Sequence, residues 1–409
     1  MIGHEFLHAP GPTHIPDRVL RAMHRQSLDL VDARLVEIAS SCFRDLKEVF
    51  RTTGEVFVYA ANGHGAWEAA LANLCVAGDA VLVPEIGHFS SSWADHARAL
   101  GIETEVIAGD WRQAIDPQRI EERLRGDRAG RIKAVLAVQV DTGTGIASDL
   151  PAIRAAIDAA GHPALLVADT IASLAAMPFE MDAWGVDVAL AASQKALMCP
   201  PGLAIVAANE RALARCRSLP RRQRYWDWEF RLKGPFYTRF CGTMPEHLFF
   251  ALREALDMIR EQGLPAVFAR HRSIAGAVQR AVEVWSEGGA LSFNAVVPAE
   301  RAVSVTAIRT APTVDPDRLR THVRETLAVS VAGGLGAMGG GAFRIGHLGD
   351  VNAPMILGCL AALETAFREL AIPHGRHGVS AAIEHLAAER EAGSGGRGSS
   401  SPSDGIGAA

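Results

Sequence analysis

The chain has 409 residues, 49% hydrophobic and 21% charged, and its 41 basic and 46 acidic side chains leave a formal net charge of −5. That composition suits an ordinary water-soluble protein long enough for two domains, and it offers no basic field for nucleic acid. No apolar run approaches the roughly 18 residues that span a bilayer, and the N-terminus lacks a basic segment followed by an apolar one, so a cytoplasmic location is expected. The six cysteines are dispersed with no C-x-x-C pair, as in a protein that keeps its thiols reduced.

Residues 1–16 are rich in Pro and Gly and read as an extended arm. Helical periodicity follows over Asp17–Arg25 and Leu35–Phe50. From about Val56 to Val206, short apolar runs alternate with helical stretches: Glu55–Tyr59, Ala80–Val83, Glu103–Ile107, Ala134–Val138, Ala164–Val167, Val186–Leu190 and Leu203–Val206. Continuous Val/Leu/Ile runs separated by helices predict an α/β fold with a mainly parallel sheet of seven strands, covered on both faces. Such sheets bind ligands beyond the carboxyl ends of their strands.

Residues 246–287 read as two long helices broken at Gly263-Leu264-Pro265. A strand-like run at Ala302–Ile308, a helix over Asp315–Leu327 and a final helix near Pro354–Leu370 suggest a smaller C-terminal α/β domain. The expected division is an arm at 1–16, a large domain at 17–262, a small domain at 263–388 and a disordered tail at 389–409, whose Gly/Ser-rich composition has nothing to bury.

Several polar groups sit where the apolar runs end. Asn62-Gly63-His64-Gly65 lies between a strand and a helix, as a phosphate cradle of free N–H groups does and as a simple glycine turn also does. Phe89, after the next run, is either a core ring or one that stacks on a ligand. Asp141-Thr142-Gly143-Thr144-Gly145 is either a polar loop or a binder of carboxylate or ring oxygen. Asp169 ends another apolar run, where an acid is costly without a partner unless it caps a helix. Ser193-Gln194-Lys195 follows the next run and precedes Pro200-Pro201-Gly202. Arg344, in an otherwise apolar strand, presents a fork suited to a carboxylate or to a structural ion pair. A lysine beyond one buried strand and an acid at the tip of another suit pyridoxal 5′-phosphate: the amine forms the Schiff base, and the carboxylate keeps the ring nitrogen protonated. No hydrolase elbow, Walker loop or zinc-type spacing is present, so no metal is expected.

Taken together, Gly11–Pro16, Gly63–Ala70, Met181–Asp187, Ser193-Gln194-Lys195, Pro200–Leu203 and Phe343–Asp350 form a collinear set. It resembles the class V, fold-type I pyridoxal-phosphate aminotransferases of the alanine–glyoxylate and serine–glyoxylate branch, over roughly residues 8–388. The resemblance implies that Lys195 carries the cofactor, Asp169 pairs with its ring nitrogen, and Phe89 stacks on the ring. It implies that Asn62, Gly63, His64 and Gln194 hold the phosphate, that Thr142 and Arg344 meet the substrate, and that Arg344 takes its carboxylate. It further implies a homodimer with shared sites, in which Thr243 reaches the phosphate of the other subunit and Gly11 helps to close the neighbouring substrate site.

The chain departs from the family at Asn62, where Ser is usual, at Phe240-Cys241-Gly242, where an aromatic hydroxyl is frequent, and at Asp29-Leu30-Val31, where Asp-His-Arg is common. These changes lead to the expectation of weaker cofactor retention and a less polar or larger amino donor. The implied activity is transfer of an amino group from serine, alanine or a related donor to glyoxylate or pyruvate. The alternatives on the same scaffold are pyridoxamine–pyruvate transamination and a β-elimination lyase.

Overall fold

The computed structural model describes residues 3–220 and 223–395. Its larger sheet has seven strands in the spatial order Glu55–Ala60, Leu203–Ala208, Val188–Ala192, Leu165–Asp169, Ile132–Val138, Ala80–Pro84, Glu103–Ile107. Leu203–Ala208 runs antiparallel to both its neighbours, and the other pairings are parallel. The central strands are buried along their whole length, which explains why they read as unbroken apolar runs rather than alternating ones.

Polar caps start the helices that connect and flank these strands. Asp32, Asn62, Asp116, Asp149 and Asn209 each accept a backbone N–H of the first helical turn, satisfying a donor that the helix cannot.

A second sheet of five strands has the order Phe6–His8, Val329–Gly333, Ala342–Gly346, Val305–Thr310, Leu291–Phe293. The N-terminal segment therefore contributes a strand, with Phe6–His8 parallel to Val329–Val331. One apolar core runs from Val19 to Ile259 beneath the large sheet, and a second joins Ile274 to Leu386 around the small one. The two long helices, Glu246–Gln262 and Leu264–Ser286, meet at Gly263, whose φ of +79° suits glycine. Among the described residues, no helix is long and apolar enough to cross a membrane.

The C-terminus corrects the expected order. Ala353–Glu369 is not the last helix: Gly378–Gly395 follows it, so residues 389–395 continue a helix, and the rest of the expected tail lies outside the described residues. Ala382 and Leu386, one turn apart, are buried in the second core. The close approach of this helix is set by Gly378, where an added Cβ would meet the Trp285 ring. Glu364, only 7% exposed, ties the packing together. Its Oε2 accepts from Trp285 Nε1 at 3.1 Å and from the Val379 N–H at 3.0 Å. Glu364→Ala leaves a buried indole N–H without its acceptor, so denaturant titration should show a loss of about 1–3 kcal/mol. Unchanged stability would contradict this role for Glu364.

Candidate active site

Five strands of the large sheet deliver side chains to one place, each at or just past its carboxyl end. Glu55–Ala60 leads to Asn62-Gly63-His64, Ala80–Pro84 to Phe89, and Ile132–Val138 to Thr142. Leu165–Asp169 ends on Asp169 itself, and Val188–Ala192 leads to Gln194-Lys195. A cavity of about 270 Å³ is lined by Asn62, Gly63, His64, Phe89, Thr142, Asp169, Gln194 and Lys195, with Gly11 and Pro12 of the N-terminal segment. Nine of the eleven residues named from the sequence thus meet in one cavity.

Arg344 lines a second cavity with Arg320 and Gly333. Its Nη1 donates to the Thr142 carbonyl at 2.8 Å and its Nε to the Gly333 carbonyl at 2.6 Å. Thr243 is exposed and lines neither cavity. Gly11 differs from expectation. It lies against the lysine of its own chain, and a Cβ there would come within 2.7 Å of Lys195 Cδ, so it closes its own site. A larger groove of about 1060 Å³ lies elsewhere, with an acidic lining that includes Asp110, Asp116, Asp149 and Glu300. It contains none of this chemistry.

The lysine turn is held by Ser193, whose Oγ donates to the Pro200 carbonyl at 2.6 Å and accepts the Leu203 N–H at 3.1 Å. The arm fastens the same turn: Thr13 N–H donates to the Gln194 carbonyl at 3.2 Å, and Thr13 Oγ1 donates to the Lys195 carbonyl at 3.1 Å. Lys195 Nζ donates to the Pro10 carbonyl. Burial, helped by the charge of Arg344, pulls the Lys195 amine down to about 8, against the opposing pull of Asp169 and Asp141.

Asp169 is 3% exposed. Burial raises its carboxyl to about 6, opposed by hydrogen bonds from the Ile171 N–H and the Trp67 indole, each 2.8 Å long. Trp67 had no role assigned from the sequence. Its signal was the spacing, since four residues beyond Gly63 returns to the same helix face. It also meets His64 edge-on at 4.5 Å between ring centroids.

Asn62 caps the helix Gly63–Leu74, its Oδ1 accepting the His64 and Gly65 N–H groups at 3.1 and 3.3 Å. The pyridoxal phosphate implied by the resemblance can be tested against these donors. The first residues of a helix, the buried Asp169 and the Phe89 ring line the same cavity as the lysine. Gln194 Oε1 is buried without a partner among the described residues. The buried Asp169 fits an aromatic cation and the helix N-terminus an anionic arm, whereas the Gln194 Oε1 calls for a donor. Among the described residues, no group of three or more His, Cys, Asp or Glu side chains is arranged to hold a metal.

The lysine carries a testable linkage. Its folded value near 8 lies below the ordinary 10.5, so between those pH values the unfolded chain binds the extra proton and stability rises with pH. Below about 8 the buried charge is a full liability, and above about 10.5 both states are neutral. In protein freed of small molecules, Lys195→Met should raise Tm by a few degrees at pH 7, and the gap should narrow from pH 8 to 10.5. A gap that widens over that range would contradict the burial.

A family model for class-V aminotransferases matches residues 5–338. The chain is 40% identical over 368 residues to the serine–glyoxylate aminotransferase of Methylorubrum extorquens, covering 88% of this chain and 90% of that protein. It is 36% identical over 378 residues to the L-aspartate–glyoxylate aminotransferase of Paracoccus denitrificans, covering 92% and 94%. The solved pyridoxamine–pyruvate aminotransferase of Mesorhizobium loti superposes with a TM-score of 0.86 at 25% identity, covering 95% and 98%. The fold is that of the fold-type I aminotransferases, and the chain belongs to the class-V aminotransferase family.

Proposed function

We propose that this aminotransferase uses pyridoxal 5′-phosphate to move an amino group from an amino acid to a small 2-oxo acid, glyoxylate foremost, in two half-reactions at one site. The observation that carries the reading is Lys195 and Asp169 in a single cavity walled by Phe89, with a helix N-terminus at one end. Relatives named for glyoxylate, with serine or aspartate as donor, support the acceptor.

When bound, the cofactor supplies an electron-accepting ring that makes the donor's Cα–H acidic. Lys195 is its attachment point, and with its amine lowered to about 8 it serves as the base and acid that moves the Cα proton. Asp169, held by Trp67 and Ile171, keeps the ring nitrogen protonated. Phe89 stacks on the ring. Gly63, His64 and Gln194 hold the phosphate at the helix N-terminus, and Asn62, whose Oδ1 is engaged in the cap, adds its amide donor. Thr142 meets the substrate, and Arg344, braced by the Thr142 and Gly333 carbonyls, orients its carboxylate. Gly11 and Pro12 shut the lysine side.

Exposed Leu30 and Tyr237 line one small pocket with Gly242 and Met244, the chain neighbours of Thr243. They support a homodimer in which Thr243 reaches the partner's phosphate. The two cores support a large domain over 17–262 and a small one over 263–388. Six free cysteines suit the cytoplasm.

Purified protein should show a visible band that bleaches with an amino acid and returns with glyoxylate. Lys195→Ala should remove the band and lower turnover by about 10²–10⁴-fold or more. Retained turnover in that variant would sink the assignment. Ammonia release without glyoxylate consumption would favour a lyase, and turnover of free pyridoxamine would favour pyridoxamine–pyruvate transamination. A panel of amino acids against glyoxylate and pyruvate identifies the donor.

A further inference from the structure

Asp141 is 0% exposed, and its carboxylate takes four backbone donors from two different elements. Oδ2 accepts the Phe89 N–H at 2.8 Å and the Ser90 N–H at 3.4 Å, at the start of the helix His88–Ala99. Oδ1 accepts the Gly143 N–H at 2.8 Å and the Thr144 N–H at 3.3 Å, in the loop that carries Thr142. The Asp141 carbonyl closes the same loop by accepting the Gly145 N–H at 2.8 Å. Two glycines make room for the group. A Cβ on Gly87 would sit 2.5 Å from the Asp141 Cγ, and one on Gly143 would sit 2.9 Å from Oδ1.

This carboxylate joins three parts of the site. On one side it fixes the backbone of Phe89, a wall of the lysine cavity. On the other it fixes the loop whose Thr142 lines that cavity and whose Thr142 carbonyl braces Arg344. We propose that Asp141 is a positioning residue for the transamination site, a buried clamp that sets the distance between the Phe89 ring, Thr142 and the substrate-orienting Arg344. Its charge adds a second effect, because the groups facing it are Lys195, Arg344 and Asp169, with His88 packed on Gly143. A negative charge beside two cations favours their protonated forms. The spectral part of the following test rests on the proposed cofactor reading, and the exchange part does not.

Asp141→Asn keeps the shape but turns an NH2 toward a backbone N–H, breaking one side of the clamp. Gly143→Ala strains the same clamp and keeps the charge. In both variants, hydrogen exchange of the segments 87–91 and 141–146 should quicken by about tenfold or more relative to the rest of the sheet. Donor KM should rise about tenfold and kcat/KM should fall about 10²-fold, as a misplacement near 1 Å costs. In Asp141→Asn alone, the pH midpoint of the visible band of cofactor-loaded protein should move about one unit lower, because the charge favouring a protonated nitrogen is gone. Unaltered exchange in both segments, with donor KM and band midpoint as in the parent, overturns the proposal even if Tm falls. If Asp141→Asn does not fold, Gly143→Ala decides through exchange and KM. A parent protein without a visible band defeats the functional reading, and quickened exchange in the variants still upholds the clamp.

Discussion

The structure depends on a desolvated pair of opposite charges that are held apart. Lys195 and Asp169 face one cavity, yet the lysine amine donates to the Pro10 carbonyl and the carboxylate accepts from Trp67 and Ile171. Burial pushes each toward its neutral form, the amine to about 8 and the acid to about 6. A buried charge without a charged partner costs stability, so a fold that spends five strand ends on this arrangement supports it from every side. Ser193 pins the lysine turn, the helix Gly63–Leu74 presents Trp67 to the acid, and Asp141 spaces the Phe89 and Thr142 segments.

The N-terminal segment links the two cores through this pair. Phe6–His8 adds a strand to the small sheet, and the chain then crosses Gly346 so closely that a Cβ there would sit 2.3 Å from the Ala9 carbonyl carbon. Gly11 and Thr13 next press against the lysine turn. The six residues from His8 to Thr13 therefore join the small sheet to the Lys195 turn. Arg344 lies on that same sheet and is tied to the large-domain loop through the Thr142 carbonyl. The lysine turn and Arg344 share one mechanical frame, as the proposed reaction would need in order to align Cα with a base.

Much of this was legible in the sequence because the central strands are buried on both faces and so read as continuous apolar runs with a polar group at or beyond the tip. Asp169 and Lys195 stood out for that reason, and Gly63-His64 because a helix begins there. What escaped notice was set by tertiary approach. Trp67 looked like one more apolar helix residue, and only the meeting of two elements gives its indole an acid. Asp141 read as a loop polar group, since its four donors come from segments about fifty residues apart. Gly11 was expected beside a neighbouring subunit, but the parallel pairing of Phe6–His8 turns it onto its own lysine. The helix Gly378–Gly395 was missed altogether, because two buried side chains a turn apart give a weak apolar signal.

The departure at Phe240 has a packing explanation. Its ring is 6% exposed and lies edge-on to Phe249 at 5.2 Å, within a cluster that includes Phe43 and Phe236. A hydroxyl at that ring would be carried into an apolar core at a cost, so a phenol suits this position poorly here. The turn that follows, with Cys241 at φ +53° and Gly242 at φ +147°, instead presents Thr243 outward. Under the proposed dimer, the short hydroxyl of Thr243 is what this turn offers the partner's phosphate. Arg344, held by the Thr142 and Gly333 carbonyls, is the group we propose to orient the carboxylate that every amino acid shares, so it does not itself select the donor's side chain.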